Sequence, residues 1–188
     1  MAVDFRDEAP AILKDYLIYK QTIKNMSKKT VDEYFIDLRT FFRFLKVMRG
    51  LVPDGTDFDE IKIDDVDLDL IKTVNLELAY DYMNFLYRDR NNKSASRARK
   101  CSSLKGFFKY ITNNKHLLDT NPVEQLESPK NKKALPKYLT LEQSIELLNA
   151  VDGNNKQRDY CILTLFLNCG LRVSEMAGLN YNDIHSDG

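Results

Sequence analysis

The chain lacks net charge: 28 Lys and Arg balance 28 Asp and Glu over 188 residues. Bulk charge therefore names no partner, and only the distribution of charge is informative. Cysteine is scarce. Cys101, Cys161 and Cys169 form no CxxC pair, and an odd number is a poor disulfide framework, so reduced thiols are expected. The start, "MAVDFRDEAP", is charged and holds no apolar signal-peptide core. No apolar run is long enough to span a bilayer. No series of alternating strands is evident either. These absences point to a soluble, cytoplasmic, mainly α protein. With 43% hydrophobic and 30% charged residues it can bury a core and is not disordered.

What is present is helical periodicity. A first helix is predicted over about 8–24 and a second from Ser27, as N-cap, to about Met48. In the second, Val31, Tyr34, Phe35, Leu38, Phe41, Phe42 and Leu45 recur at three- and four-residue steps, which defines a core-facing stripe. Gly50 and Pro53 stop it. The acidic stretch 54–74 reads as a loop with at most one or two short turns. A third helix, about 75–89, places Leu76, Ala79, Tyr80, Met83, Leu86 and Tyr87 in register. A fourth, about 94–112, has Cys101, Leu104, Phe108 and Ile111 as its core stripe. A turn and a short helical piece follow to about Leu126.

Residues 128–139, with two prolines and several lysines, read as a basic linker between a domain at 1–127 and a second at 140–188. Thr140 is placed as an N-cap with Gln143 at the capping-box position. Residues 156–167 are apolar on most sides, which predicts a buried helix.

Charge is segregated along the chain. Residues 94–115 carry Arg97, Arg99, Lys100, Lys105, Lys109 and Lys115 and no acid. In this fourth helix Ser96, Arg99, Ser103, Gly106 and Tyr110 share a stripe away from the predicted core, where hydroxyls and guanidinium can bond phosphates and Gly106 lets a backbone come close. The second helix opens with Lys28, Lys29 and Thr30 at an N-terminus whose amides already favour anions. Either group alone reads equally as a solvated face. Together with the lysine-rich linker they mark a candidate nucleic-acid surface.

The stretch "NCGLRVSEMAGL", 168–179, follows the apolar run "CILTLFL". Gly170 suits a helix C-cap, and Val173–Leu179 a short helix with Arg172 at its start. A guanidinium beside exposed amides makes an anion site that fits two phosphate oxygens, and Glu175, one turn on, can hold it. By spacing alone, an ordinary structural Arg–Glu pair at i, i+3 is the favoured reading.

"LFLNCGLRVSEMAGLNYNDI" closely resembles the first conserved box of tyrosine recombinases, the Xer and phage-integrase family. It departs only at Cys169, where Thr is usual, and at Met176, where Leu is usual. "SRARKCSSLKGFFKYI" resembles the last long helix of that family's core-binding domain, and "NPVEQLESPKNKKALPKYLTLEQSIELL" its interdomain linker and the opening helix of its catalytic domain. The resemblance implies a helical SAM-like core-binding bundle followed by a truncated, helical beginning of the catalytic domain. It implies DNA strand cleavage and rejoining through a 3′-phosphotyrosine in the complete enzyme, with no metal or cofactor, on double-stranded DNA and as a tetramer.

Residue by residue, Arg172 matches the first catalytic arginine and Glu175 its supporting acid. Lys28, Lys29, Thr30, Ser96, Arg97, Arg99, Lys100, Ser103 and Lys105 form the expected DNA-binding set. The family's hairpin lysine, His-x-x-Arg box and tyrosine nucleophile have no counterpart in these 188 residues. Tyr181 falls at a packing position, and His116 and His185 are outside any such box. The chain by itself is therefore expected to be inactive. The alternative is a non-enzymatic DNA-binding or recombinase-regulating short form. A helical protein-interaction module without nucleic acid is a third reading.

Overall fold

The computed structural model describes residues 5–130 and 137–183. The chain divides into two compact units, Met1–Lys132 and Lys133–Gly188. Residues 131–136, within the expected linker, lie outside the described residues, as does His185.

In the first unit, α1 (Phe5–Glu8) and α2 (Ala11–Thr22) replace the single predicted first helix. Pro10 separates them: it serves as the extended N-cap of α2, where its missing N–H costs nothing. Helix α3 (Lys28–Met48) starts at Ser27, whose hydroxyl accepts from the Thr30 N–H. Its expected stripe is buried, apart from half-exposed Tyr34. Helix α4 (Leu68–Lys72) is capped by Asp67 and α5 (Leu76–Arg88) by Asn75. Helix α6 (Ser94–Lys109) runs into a five-residue π turn, Tyr110–Asn114.

Helix α6 packs on both α3 and α5, and α2 packs on α3. A helix with neighbours on two sides is buried over a wide arc. That is why α6 and the π turn after it bury not only Cys101, Leu104, Phe108 and Ile111 but also Lys100, Ser103, Phe107 and Tyr110. The stripe expected to lie open is thus largely covered. Its Gly106 faces α2, where an added Cβ would lie 2.8 Å from Tyr16 Oη. Tyr16 is fully buried, its hydroxyl is unpaired, and burial drives its acidity far below that of an ordinary tyrosine. Gly106→Ala is expected to cost about 1–3 kcal/mol by overpacking, and Tyr16→Phe, which removes the clashing oxygen, to recover most of it. Urea midpoints of the two single variants and the double variant check this; additive losses would show that the contact is not the cause.

One further expectation is corrected, in α5. The acidic stretch 54–74 is, as expected, a loop with two short turns, a 3-10 turn at Phe58–Glu60 and α4, and within it Ile61, Ile63, Val66, Ile71 and Val74 are buried. Its carboxylates stay outside while its sparse aliphatics close one end of the bundle. In α5, Tyr80 and Tyr87 are exposed, and Leu78 and Tyr82 are buried in their place.

The second unit holds α7 (Leu141–Asn149), α8 (Lys156–Cys169), α9 (Val173–Gly178) and a 3-10 turn at Tyr181–Asp183. The capping box at α7 forms as read: the Gln143 N–H donates to Thr140 Oγ1 and the Thr140 N–H to Gln143 Oε1. Helix α8, expected to be buried, has no buried residue. A helix apolar on most sides needs neighbours around it, and among these residues α7 is the element packed against it. No strand occurs among the described residues.

Candidate nucleic-acid interface

Three cations and one hydroxyl residue of the expected set stand at the surface. Lys28, Lys29 and Thr30 are exposed in the first turn of α3, with Lys28 Nζ 2.9 Å from Asp32. Lys29 has no ion-pair partner among the described residues. Arg99 on α6 is exposed but held by two acids of α3: it donates to Glu33 and lies 2.9 Å from Asp37. A phosphate reaching Arg99 must therefore share it with carboxylates already in place.

Ser96 and Arg97 are half-buried. Ser96 Oγ meets Asn92 Oδ1 at 3.3 Å. The Arg97 guanidinium lies over the Tyr87 ring, 4.7 Å from its centroid, and its Nε is buried without a partner. Lys105 is half-buried and donates to the Leu126 carbonyl at 2.9 Å, which ties the end of the first unit back onto α6.

Lys100 and Ser103 are corrected outright as surface contacts. They are 8% and 3% exposed. Both point at Asp37 of α3, itself 2% exposed: Lys100 Nζ donates to Oδ1 at 2.9 Å and Ser103 Oγ to Oδ2 at 2.8 Å. Tyr82 of α5 donates to the Asp37 carbonyl at 3.4 Å. These residues bind α3, α5 and α6 together and are not free to grip a ligand. Asp37 escaped the sequence reading. The signal was there: an acid at helical spacing from Tyr34 and Phe41, opposite a basic helix with no acid of its own.

In the second unit Gly170 ends α8 at φ 62°, the left-handed conformation that glycine adopts without a Cβ penalty. Arg172 is the N-cap of α9. A guanidinium has no acceptor, so the cap works one way: Glu175 accepts the Arg172 N–H at 2.7 Å and its Nη1–H at 2.8 Å. The Arg172 side chain is 80% exposed. Although it follows the apolar run of α8, it is an exposed, aimed cation at a helix start.

Hydrogen bonds from the Arg172 N–H first, and from its guanidinium second, hold the Glu175 carboxyl below its usual 4.5. A depressed carboxyl stabilises above its unfolded value and loses that contribution as pH falls through the folded one. The first turn of α9 is thus expected to stay intact at pH 4.5 and to fray only in stronger acid. The Arg172 amide shift followed against pH checks this, and a midpoint at or above 4.5 would contradict it.

Tyr181 opens the last 3-10 turn, and His116 is an exposed turn residue at φ 53°. Among the described residues no cluster of three or more His, Cys, Asp or Glu could hold a metal. No helix among them is long and apolar enough to cross a membrane.

Comparison with known proteins bears on both units. Residues 13–115 match the phage integrase N-terminal SAM-like domain, and residues 137–188 match the phage integrase family. The chain belongs to the phage integrase family of tyrosine recombinases. It is 49% identical over 178 residues to the tyrosine recombinase XerC of Caldanaerobacter subterraneus subsp. tengcongensis, covering 95% of this chain and 50% of that one. It is 31% identical over 174 residues to a tyrosine recombinase of Pseudothermotoga lettingae (92% and 53%) and 32% identical over 179 residues to XerC of Myxococcus xanthus (94% and 53%). The chain thus spans about half the length of the curated relatives it matches. No solved structure matches it significantly.

Proposed function

We propose that this chain is the DNA-binding portion of a site-specific tyrosine recombinase that acts on double-stranded DNA in the cytoplasm, with the complete enzyme working as a tetramer. The observation that carries the reading is Arg172. It is an exposed guanidinium at the start of α9, oriented by Glu175 through two hydrogen bonds, in a chain whose 49%-identical relative is a tyrosine recombinase.

In strand cleavage a tyrosine attacks a phosphate, and the pentacoordinate transition state gathers charge on its non-bridging oxygens. Arg172 offers paired N–H donors to those oxygens, and the amides of α9 add their dipole. Glu175 spends one Nη1 contact to fix the fork and leaves the remaining donors to the phosphate.

On the first unit, Lys28, Lys29 and Thr30 at the α3 N-terminus, with Arg99 and Arg97 on α6, are proposed to hold the phosphates of the duplex. Counterion release makes such binding steeply salt-dependent. With three or four cation–phosphate contacts, affinity should fall about 40–150-fold between about 50 and 200 mM salt. Lys29→Ala should reduce the logarithmic salt slope by about one. Fluorescence anisotropy on a duplex at several salt concentrations measures both, and salt-independent binding or none would refute the assignment.

A further inference from the structure

The C-terminal end of α3 carries a feature that the proposed duplex contacts do not involve. Phe44, Val47 and Met48 of α3, Phe58, Asp81, Asn84 and Phe85 of α5, and its C-cap Asp89 line an open groove of about 500 Å3. Its floor is aromatic: the ring centroid of Phe85 lies 5.1 Å from that of Phe44 and 5.2 Å from that of Phe58. Val47 and Met48 on its wall are each 46% exposed. Its lining residues carry no cation; Arg90, over the Phe58 ring at 5.0 Å from its centroid, is paired with Asp59 at 3.1 Å. The rim carboxylates Asp81 and Asp89 have no ion-pair or hydrogen-bond partner among the described residues.

From Lys28 to Met48 the helix rises about 30 Å at about 1.5 Å per residue, so the groove stands at the opposite end of α3 from the basic turn. Acids at the rim repel phosphate, whereas exposed methyl and thioether groups over an aromatic floor suit apolar side chains. We propose that this groove docks a partner protein through a short basic amphipathic helix. Leucine-type side chains of that helix enter the groove, and its lysines or arginines meet Asp81 and Asp89. The charge complementarity selects this occupant: a nucleic acid fails on the carboxylates, and an acidic peptide fails for the same reason.

The test uses the 188-residue chain, isotope-labelled, and two 14-residue helical peptides. Both carry leucines at i, i+3, i+4 and i+7; one has lysine at the remaining positions and the other glutamate. The lysine peptide is expected to shift the Val47 and Met48 methyl signals saturably, and the glutamate peptide to leave them unmoved. Asp81→Asn with Asp89→Asn, both on the surface, should weaken the lysine peptide about 5-fold, since exposed pairs contribute modestly. Shifts centred elsewhere, equal binding of both peptides, or no binding would each overturn the proposal. So would concentration-dependent self-association abolished by Met48→Lys, which would make the occupant a second copy of the chain.

Discussion

Asp37→Ala is expected to lower the stability of the first unit by about 3–5 kcal/mol, the cost of leaving a buried charge without its counter-charge. Asp37 accepts hydrogen bonds from Lys100 and Ser103 at 2.9 and 2.8 Å and forms an ion pair with Arg99 at 2.9 Å. Arg99 can turn to Glu33 and water. Lys100 cannot: its ammonium sits between α3 and α6, where Thr40 Oγ1, at 3.5 Å, is its second hydrogen-bond contact among the described residues. Against a total stability of about 5–15 kcal/mol for a typical domain, the loss is large.

Urea denaturation of the wild-type chain and of Asp37→Ala, Asp37→Asn and the double variant Asp37→Leu with Lys100→Met measures it. Asparagine keeps the shape and one acceptor and should cost less than alanine. The apolar pair removes both charges and should recover most of the loss, because a buried ion pair replaced whole by matched hydrocarbon is often neutral. A cost below about 1 kcal/mol for Asp37→Ala would show that the Lys100 ammonium escapes to solvent and that the network holds little.

Arg172→Ala is expected to act on chemistry and not on binding. The test joins this chain to the remaining half of the 49%-identical relative and follows covalent protein–DNA adduct on a nicked substrate. Loss of one preorganised donor group aimed at developing charge should slow adduct formation about 100- to 1000-fold. Duplex affinity should change less than about 2-fold if, as proposed, the arginine contributes in the transition state. Glu175→Gln keeps a hydrogen-bond acceptor but loses its charge and should slow the reaction less than Arg172→Ala. Equal losses in affinity and adduct rate would show that Arg172 is a binding residue, and cleavage within about tenfold of the parent would remove it from the catalytic set.

Local sequence alone determined the caps and the motif. Ser27, Thr140 with Gln143, Gly170 and the Arg172–Glu175 step were readable because each works through bonds spanning three or four residues, within one helical turn. The stripe of α3 was readable for the same reason. Only the tertiary structure decided which side of α6 meets water. A helix enclosed by α3 and α5 hides hydroxyls and an ammonium as well as hydrocarbon, provided a partner such as Asp37 is brought to them, and that partner lies 63 residues away from Lys100.

Separation along the chain likewise hid the reason for Gly106, which makes room for a tyrosine on another helix. It also hid the phase of α5, where Tyr80 and Tyr87 matched the period as well as Tyr82 did. The aliphatics of 54–74 were masked by the acids between them, since no short-range period marks a segment that packs without regular structure. Helical period and capping are local properties of the chain, whereas burial of charge, close approach and packing phase are set by which elements come together.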